Sequence, residues 1–305
     1  MMVPPFLSNN ATIAVAATAR YADEKLLEDA LLALKNSGYR VVVSPLATTP
    51  FHRFAGDDAS RVAEFNRLLN DPEIDAVWLV RGGYGTLRIL DTIDWDALLR
   101  HPKWLIGFSD FTLVHCRLQH LNMASVHACT FSQLSRFGLR HENVISALEL
   151  ISGEPNKYTF SAHPFNRHGS ATGSITGGNL SLICNTIGTS TQPDTRGRIL
   201  VLEDCDEYMY HYDRMLRQMK RAGMLQGLAG LIIGSSTFKP EPDDIPFGFT
   251  LEEIVMDCVK EYSYPVCFEA PFGHTDRNYA LMMNTPYTLH VTQTETRLHH
   301  LPLPE

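Results

Sequence analysis

Cysteine is scarce in this 305-residue chain. The six present (Cys116, Cys129, Cys184, Cys205, Cys258 and Cys267) show no C-x-x-C spacing, and most sit in apolar runs. That pattern excludes a disulfide framework and fits reduced core residues of a cytoplasmic protein. No H-x-x-x-H or H-E-x-x-H occurs, so no metal site is expected. Basic residues are in deficit, 26 Lys and Arg against 34 Asp and Glu, and the net charge of -8 argues against nucleic acid or an anionic membrane as partner. No apolar run has membrane-spanning length. Residues 13–19 mimic a signal-peptide core, but no basic residue precedes them and Arg20 and an acidic stretch follow. They read as a first strand instead. Internal repeats and low-complexity tracts are also missing.

What the chain does contain is enough apolar residue, 44%, for about two domains with ample core. Its first half alternates strand and helix. Strands are expected at 13–16, 39–46, 74–80, 104–106 and 125–129, and helices at 23–35, 58–69, 86–99 and from 110 to about 121. Repeated βα units of this length imply a parallel sheet covered on both faces, with its site at the carboxyl ends of the strands.

Two turns fall at such ends. Trp104-Leu105-Ile106 runs into Gly107-Phe108-Ser109-Asp110, where a serine on a strand-to-helix corner lifts its hydroxyl clear of the sheet and the Asp110 N–H can face an oxyanion. The turn lacks the second glycine of G-x-S-x-G, and Ser109 as a plain helix cap stays open. The other turn, Arg81-Gly82-Gly83-Tyr84-Gly85, is neither G-x-G-x-x-G nor a P-loop. Without Cβ atoms, Gly82 and Gly83 can come close to a ligand and donate N–H groups, though a tight βα turn explains them equally. Arg81 suits either a local salt bridge or a substrate carboxylate.

The pattern breaks near 149–172, where Gly153, Pro155, Pro164 and Gly169 suggest a connection between domains. Residues 1–150 would form the first domain, 151–170 a linker and 171–305 the second. Beyond it, a strand at 198–203 ends in Glu203 and a strand at 266–272 leads to Gly273-His274, with a helix at 210–224 and another strand at 228–233 between them. Ser109, Glu203 and His274 in that order suit a nucleophile, an orienting carboxylate and a base. Asp204, Asp206 and Glu207 compete with Glu203, and ordinary salt bridges remain an alternative for each.

These residues carry a resemblance. Arg53-Phe54-Ala55-Gly56 with Arg61, Ile74-Asp75-Ala76-Val77-Trp78, Arg81-Gly82-Gly83-Tyr84-Gly85, Ile93-Asp94-Trp95, Gly107-Phe108-Ser109-Asp110, Gly177-Gly178-Asn179-Leu180, Leu202-Glu203-Asp204 and Phe272-Gly273-His274 together resemble the LD-carboxypeptidase family of serine peptidases. The resemblance implies an α/β fold: a flavodoxin-like parallel-sheet N-terminal domain with a smaller β-rich α+β C-terminal domain, the site lying between them. It implies Ser109 as nucleophile and Glu203 and His274 as the charge-relay pair. Gly82, Gly83, Asp110 and Arg81 are the candidates for oxyanion and substrate binding. The implied activity is removal of the terminal D-Ala from cytoplasmic murein tetrapeptide, by a homodimer without cofactor or metal. The alternatives are a related peptidase acting on an acyl or aminoacyl amide of a peptide-nucleotide antibiotic, and a non-catalytic module that binds a small ligand. After His274 the chain departs from the family's Leu-Pro-x-Gly turn and reads Thr275-Asp276-Arg277-Asn278-Tyr279.

Overall fold

A computed structural model describes residues 1–241 and 245–303 of the protein; the expected domain end at 305 lies outside them. The chain divides into two compact units, Met1–Glu154 with Tyr279–Met282, and Pro155–Asn278 with Met283–Glu305.

The first unit is built on a six-stranded sheet. In spatial order its strands are Leu281–Met283, Ser125–His127, Trp104–Gly107, Ala76–Leu79, Thr12–Ala16 and Arg40–Val43. The five N-terminal strands pair in parallel. In the sequence order of the sheet's own strands they run 2-1-3-4-5, the flavodoxin-like arrangement. Their near-continuous apolar runs follow from burial on both faces: every residue of Thr12–Ala16, Ala76–Leu79 and Trp104–Gly107 is buried. Helices Glu28–Asn36, Asp58–Asn70, Thr112–His120, Phe131–Phe137 and Glu142–Ser152 complete the unit.

The helix expected at 86–99 is broken. Thr86–Ile89 passes into a 3-10 turn at Leu90–Thr92, and Asp96–Arg100 forms a separate helix. Local side-chain bonds compete with the helix here. Thr92 Oγ1 donates to the Ile89 carbonyl (2.8 Å), Asn66 Oδ1 accepts from Asp94 N (2.8 Å), and Ile93 is extended. The strand expected at 39–46 stops at Val43, because Ser44 caps a turn that opens with Pro45. A short hairpin, Pro50–Phe51 with Phe54–Ala55, follows.

The second unit holds a seven-stranded sheet in the order Val266–Gly273, Gly230–Ser235, Ile199–Glu203, Gly169–Asn179, Pro286–Val291, Glu295–His300, Lys157–Ser161. The long strand Gly169–Asn179 joins two patterns: residues 175–179 pair in parallel with Ile199–Glu203, and residues 169–174 pair antiparallel with Pro286–Val291. The region expected to be a linker, 151–170, therefore contains a strand, Lys157–Ser161, paired antiparallel with Glu295–His300. Its alternation of buried Tyr158 and half-buried Phe160 with exposed Lys157, Thr159 and Ser161 marks a half-buried sheet edge. The second compact unit begins at Pro155, and Tyr279–Met282 belongs to the first. Among the described residues no helix is long and apolar enough to cross a membrane, and no group of three His, Cys, Asp or Glu side chains is placed to hold a metal ion.

Candidate active site

Ser109 leaves the strand Trp104–Gly107 through Phe108 and adopts φ +62°, a left-handed conformation that costs a non-glycine residue about 1–2 kcal/mol. The residue at the capping position of the following helix Thr112–His120 is Phe111, without a side-chain cap. Glycines make room around the serine. A Cβ at Gly82 would lie 3.1 Å from Ser109 Cβ and 3.3 Å from its Oγ, so the backbone of the Arg81–Gly85 turn is pressed against the hydroxyl.

Asp110 ties the two turns together. It is almost fully buried, and its Oδ2 accepts from the N–H of Thr86 (2.8 Å), whose hydroxyl meets that of Thr18 (2.8 Å). Burial raises the carboxyl's pKa against the Thr86 hydrogen bonds and the nearby charge of Arg61. Arg61, with no exposed surface, donates to the carbonyls of Thr18 and Gly85 and to Asp58, beneath the ring of Phe54. A Cβ at Gly85 would fall 2.5 Å from the Arg61 guanidinium and 2.8 Å from Ala19 Cα. Arg61 thus closes the turn from below. The Asp110 side chain holds this frame, a role that its position in the sequence did not reveal. Arg81 is exposed and has no salt bridge among the described residues.

In the second unit Glu203 closes the buried strand Ile199–Glu203 and is 1% exposed. Its Oε2 meets Nδ1 of His274 at 2.5 Å, while its Oε1 is buried with no hydrogen-bond partner among the described residues. His274 follows the strand Val266–Gly273, two places across the sheet, with Gly230–Ser235 between. Two glycines clear the path. At Gly234 a Cβ would lie 3.3 Å from Glu203 Cβ and overlap the Phe272 carbonyl; at Gly273 it would lie 2.9 Å from Glu203 Cβ and 3.0 Å from Oε2. The N–H of Gly273 donates to Oδ1 of the buried Asn278 (2.9 Å), which fixes the turn. Burial disfavours the charged imidazole of His274. The charge of the Glu203 carboxylate, together with the ring's own hydrogen bonds to Cys205 and to Glu203, outweighs it and pushes the ring's pKa up to about 10.

The neighbouring acids have other partners. Asp204 accepts from Asn179 Nδ2, Ser181 N and Cys205 N (2.8 Å each), and burial pushes its carboxyl up to about 6. That explains the Gly177-Gly178-Asn179 motif: Asn179 anchors Asp204, and a Cβ at Gly177 would overlap the Val201 backbone. Asp206 meets Thr237 (3.2 Å), and Glu207 pairs with His211. Of the four acids, only Glu203 bonds His274. Cys205, beside the imidazole, was read from the sequence merely as one of six reduced thiols, and no spacing rule singles it out.

Residues 13–128 match the family model of the LD-carboxypeptidase N-terminal domain, and residues 172–289 match that of its C-terminal domain. The chain is 32% identical over 284 residues to the probable murein peptide carboxypeptidase of Bacillus subtilis, covering 91% of this chain and 88% of that protein. A solved structure of muramoyltetrapeptide carboxypeptidase from Oxalobacter formigenes superposes with TM-score 0.87 at 26% identity, over 97% of this chain and 100% of that one. The microcin C7 self immunity protein MccF shares the fold at TM-score 0.85 and 18% identity, over 99% of both chains.

Proposed function

Since the chain belongs to the LD-carboxypeptidase family of serine peptidases, we propose that it hydrolyses the amide joining the terminal D-Ala to a murein tetrapeptide, with Ser109 as nucleophile. The observation that carries the reading is the Glu203–His274 pair. A buried carboxylate bonded to Nδ1 fixes the tautomer that leaves Nε2 free of a proton and able to accept one.

In this reading Ser109 Oγ attacks the scissile carbonyl carbon as its proton passes to His274 Nε2. The tetrahedral oxyanion is met by N–H groups of Gly82 or Gly83 and of Asp110, donors that are typically worth about 10²–10³ each in rate. His274 then protonates the leaving D-Ala nitrogen, and water, activated by the same imidazole, releases the shortened peptide from the acyl-enzyme. Glu203 compensates the transient imidazolium throughout. The strained φ of Ser109 and the packing of Gly82 support the nucleophile assignment, because both hold the hydroxyl against a turn rich in backbone donors.

The test is incubation of the protein with defined muropeptides and with an aminoacyl nucleotide amide of the kind an immunity peptidase would take, the products being identified by mass spectrometry. Loss of one alanine from the tetrapeptide is expected. Cleavage of the nucleotide conjugate alone would move the chain to the immunity branch, and turnover of neither would reject both readings.

A further inference from the structure

In the first sheet, strand order reverses at Thr12–Ala16, flanked by Arg40–Val43 on one side and Ala76–Leu79 on the other. Open α/β sheets bind ligands outside the carboxyl ends of their strands at such a point. The segments leaving those two ends carry Arg20 and Arg81. They touch: a Cβ at Gly83, which has φ +112°, would run into Cδ and Cγ of Arg20. A third segment arrives through a hydrogen bond from Ala55 N to the Ala19 carbonyl (3.0 Å), which brings the hairpin turn bearing Arg53 to the same place. Gly82, between Arg81 and Gly83, is the residue packed on Ser109.

We propose that Arg20, Arg53 and Arg81 form a subsite beside Ser109 for a terminal oxyanion group of the substrate, a carboxylate or a phosphate. This rests on the hydrolase reading above and names what its substrate must carry. None of the three has a salt bridge among the described residues, whereas the neighbouring Arg61 and Arg88 share Asp58. After burial, the charges of Arg81 and then Arg53 lower the pKa of Arg20, with Tyr21 opposing, so positive charge gathers there with no paired acid among the described residues. Guanidinium groups carried on three adjoining segments suit a planar carboxylate or a phosphate through paired N–H donors. For a murein tetrapeptide the group is the carboxylate of the leaving D-Ala; for a peptide-nucleotide it is the phosphate.

The experiment compares the full-length protein acting on a tetrapeptide with a free C-terminus and on its C-terminal carboxamide, by release of D-Ala or D-alaninamide. Wild type should favour the acid in kcat/KM by roughly tenfold or more, the scale of a charged hydrogen bond. Arg20→Gln and Arg53→Gln should erode that ratio through KM, Arg20→Lys should restore part of it, and Arg40→Gln, an exposed arginine outside the cluster, should leave it unchanged. A second arm titrates Ser109→Ala calorimetrically with the tetrapeptide acid and with adenosine monophosphate, with and without Arg20→Gln. Weakening of peptide binding by Arg20→Gln assigns the carboxylate, and weakening of nucleotide binding assigns the phosphate. If wild type releases no D-Ala but Arg20 still governs nucleotide binding, the murein reading fails and the subsite stands. If Arg20→Gln and Arg53→Gln change neither the acid-to-amide ratio nor the binding of either probe, the subsite is wrong.

Discussion

Replacing Glu203 with Gln keeps the shape of the side chain and removes the charge that His274 meets at 2.5 Å. With charge centres about 4 Å apart and an effective dielectric constant near 20, that carboxylate favours the imidazolium by about 4 kcal/mol, or roughly three pK units. Burial of His274 opposes part of this, yet the ring is still pushed up to about 10. The sign matters. In the proposed mechanism His274 must be neutral to accept the Ser109 proton, so a raised pKa moves the rising limb of kcat/KM upward, above the usual imidazole value of about 6.5. A limb confined to the weakly acidic to neutral range, as an unperturbed histidine would give, is therefore not expected. In Glu203→Gln the limb should fall to the ordinary imidazole range or below while the plateau drops about 10³–10⁴-fold, because the transient imidazolium loses its counter-charge. The deficit should be smallest at acidic pH. Stability should follow the same linkage. The pair's contribution is complete below the unfolded pKa of about 6.5 and is lost as pH rises through the raised folded value, a slope the variant should lack. D-Ala release measured from pH 5 to 10, with thermal unfolding over the same range, reads both effects. An unmoved limb, or a plateau within tenfold of wild type, would refute the assignment of Glu203 and His274 as a working pair.

Ser109→Ala should abolish turnover, and a variant keeping more than a few per cent of wild-type D-Ala release would remove Ser109 from the mechanism. Ser109→Gly should be equally inactive yet more stable by about 1 kcal/mol in denaturant titrations, since glycine tolerates φ +62° without strain. Gly82→Ala should lower kcat at least tenfold with little change in KM, because the new methyl would sit 3.3 Å from the Ser109 hydroxyl; unaltered steady-state kinetics would show that the turn yields freely. Asp206→Asn and Glu207→Gln should stay within a few-fold of wild type, as these acids bond Thr237 and His211; a larger loss at either would move the charge-relay role there.

The parallel sheet was legible because its inner strands are buried on both faces. Runs such as Ala76-Val77-Trp78-Leu79 have no polar interruption, and turn residues separate them from periodic helices. The antiparallel edge of the second sheet was not. Lys157–Ser161, Pro286–Val291 and Glu295–His300 mix polar and apolar residues over five or six positions, and apart from the local hairpin of the last two, their partners lie more than a hundred residues away in the chain. The broken segment at 86–99 failed for a different reason, since its apolar spacing fits a helix while Thr92 and Asn66 claim the backbone groups a helix needs. At the candidate site the ends of apolar strands gave Glu203 and His274 their places. Spacing could not separate Glu203 from Asp204, because both are buried and differ only in what they bond.

That separation turns on glycine. Glu203 lies two strands from His274, and between them any side chain at Gly234 would overlap the Phe272 carbonyl and crowd the carboxylate. Gly273 does the same from the histidine's own strand, where its φ of +126° is in any case open mainly to glycine. Around Ser109 the logic repeats, with Gly82 against the hydroxyl, Gly83 against Arg20 and Gly85 against Arg61. Chemistry-bearing side chains are thus brought to their partners by missing Cβ atoms, and buried polar anchors stiffen the resulting gaps: Asp110 and Arg61 in one unit, Asp204 and Asn278 in the other. Such glycines cost backbone entropy on folding, and the orphaned Oε1 of Glu203 adds a desolvation penalty of about 1–3 kcal/mol. Filling them would cost more, because a Cβ at Gly234 or Gly85 meets backbone and Gly83, Gly85 and Gly273 all have positive φ. What they leave open is room for Glu203 beside His274 and for the Ser109 hydroxyl against the Arg81–Gly85 turn, which is the geometry the proposed hydrolysis needs.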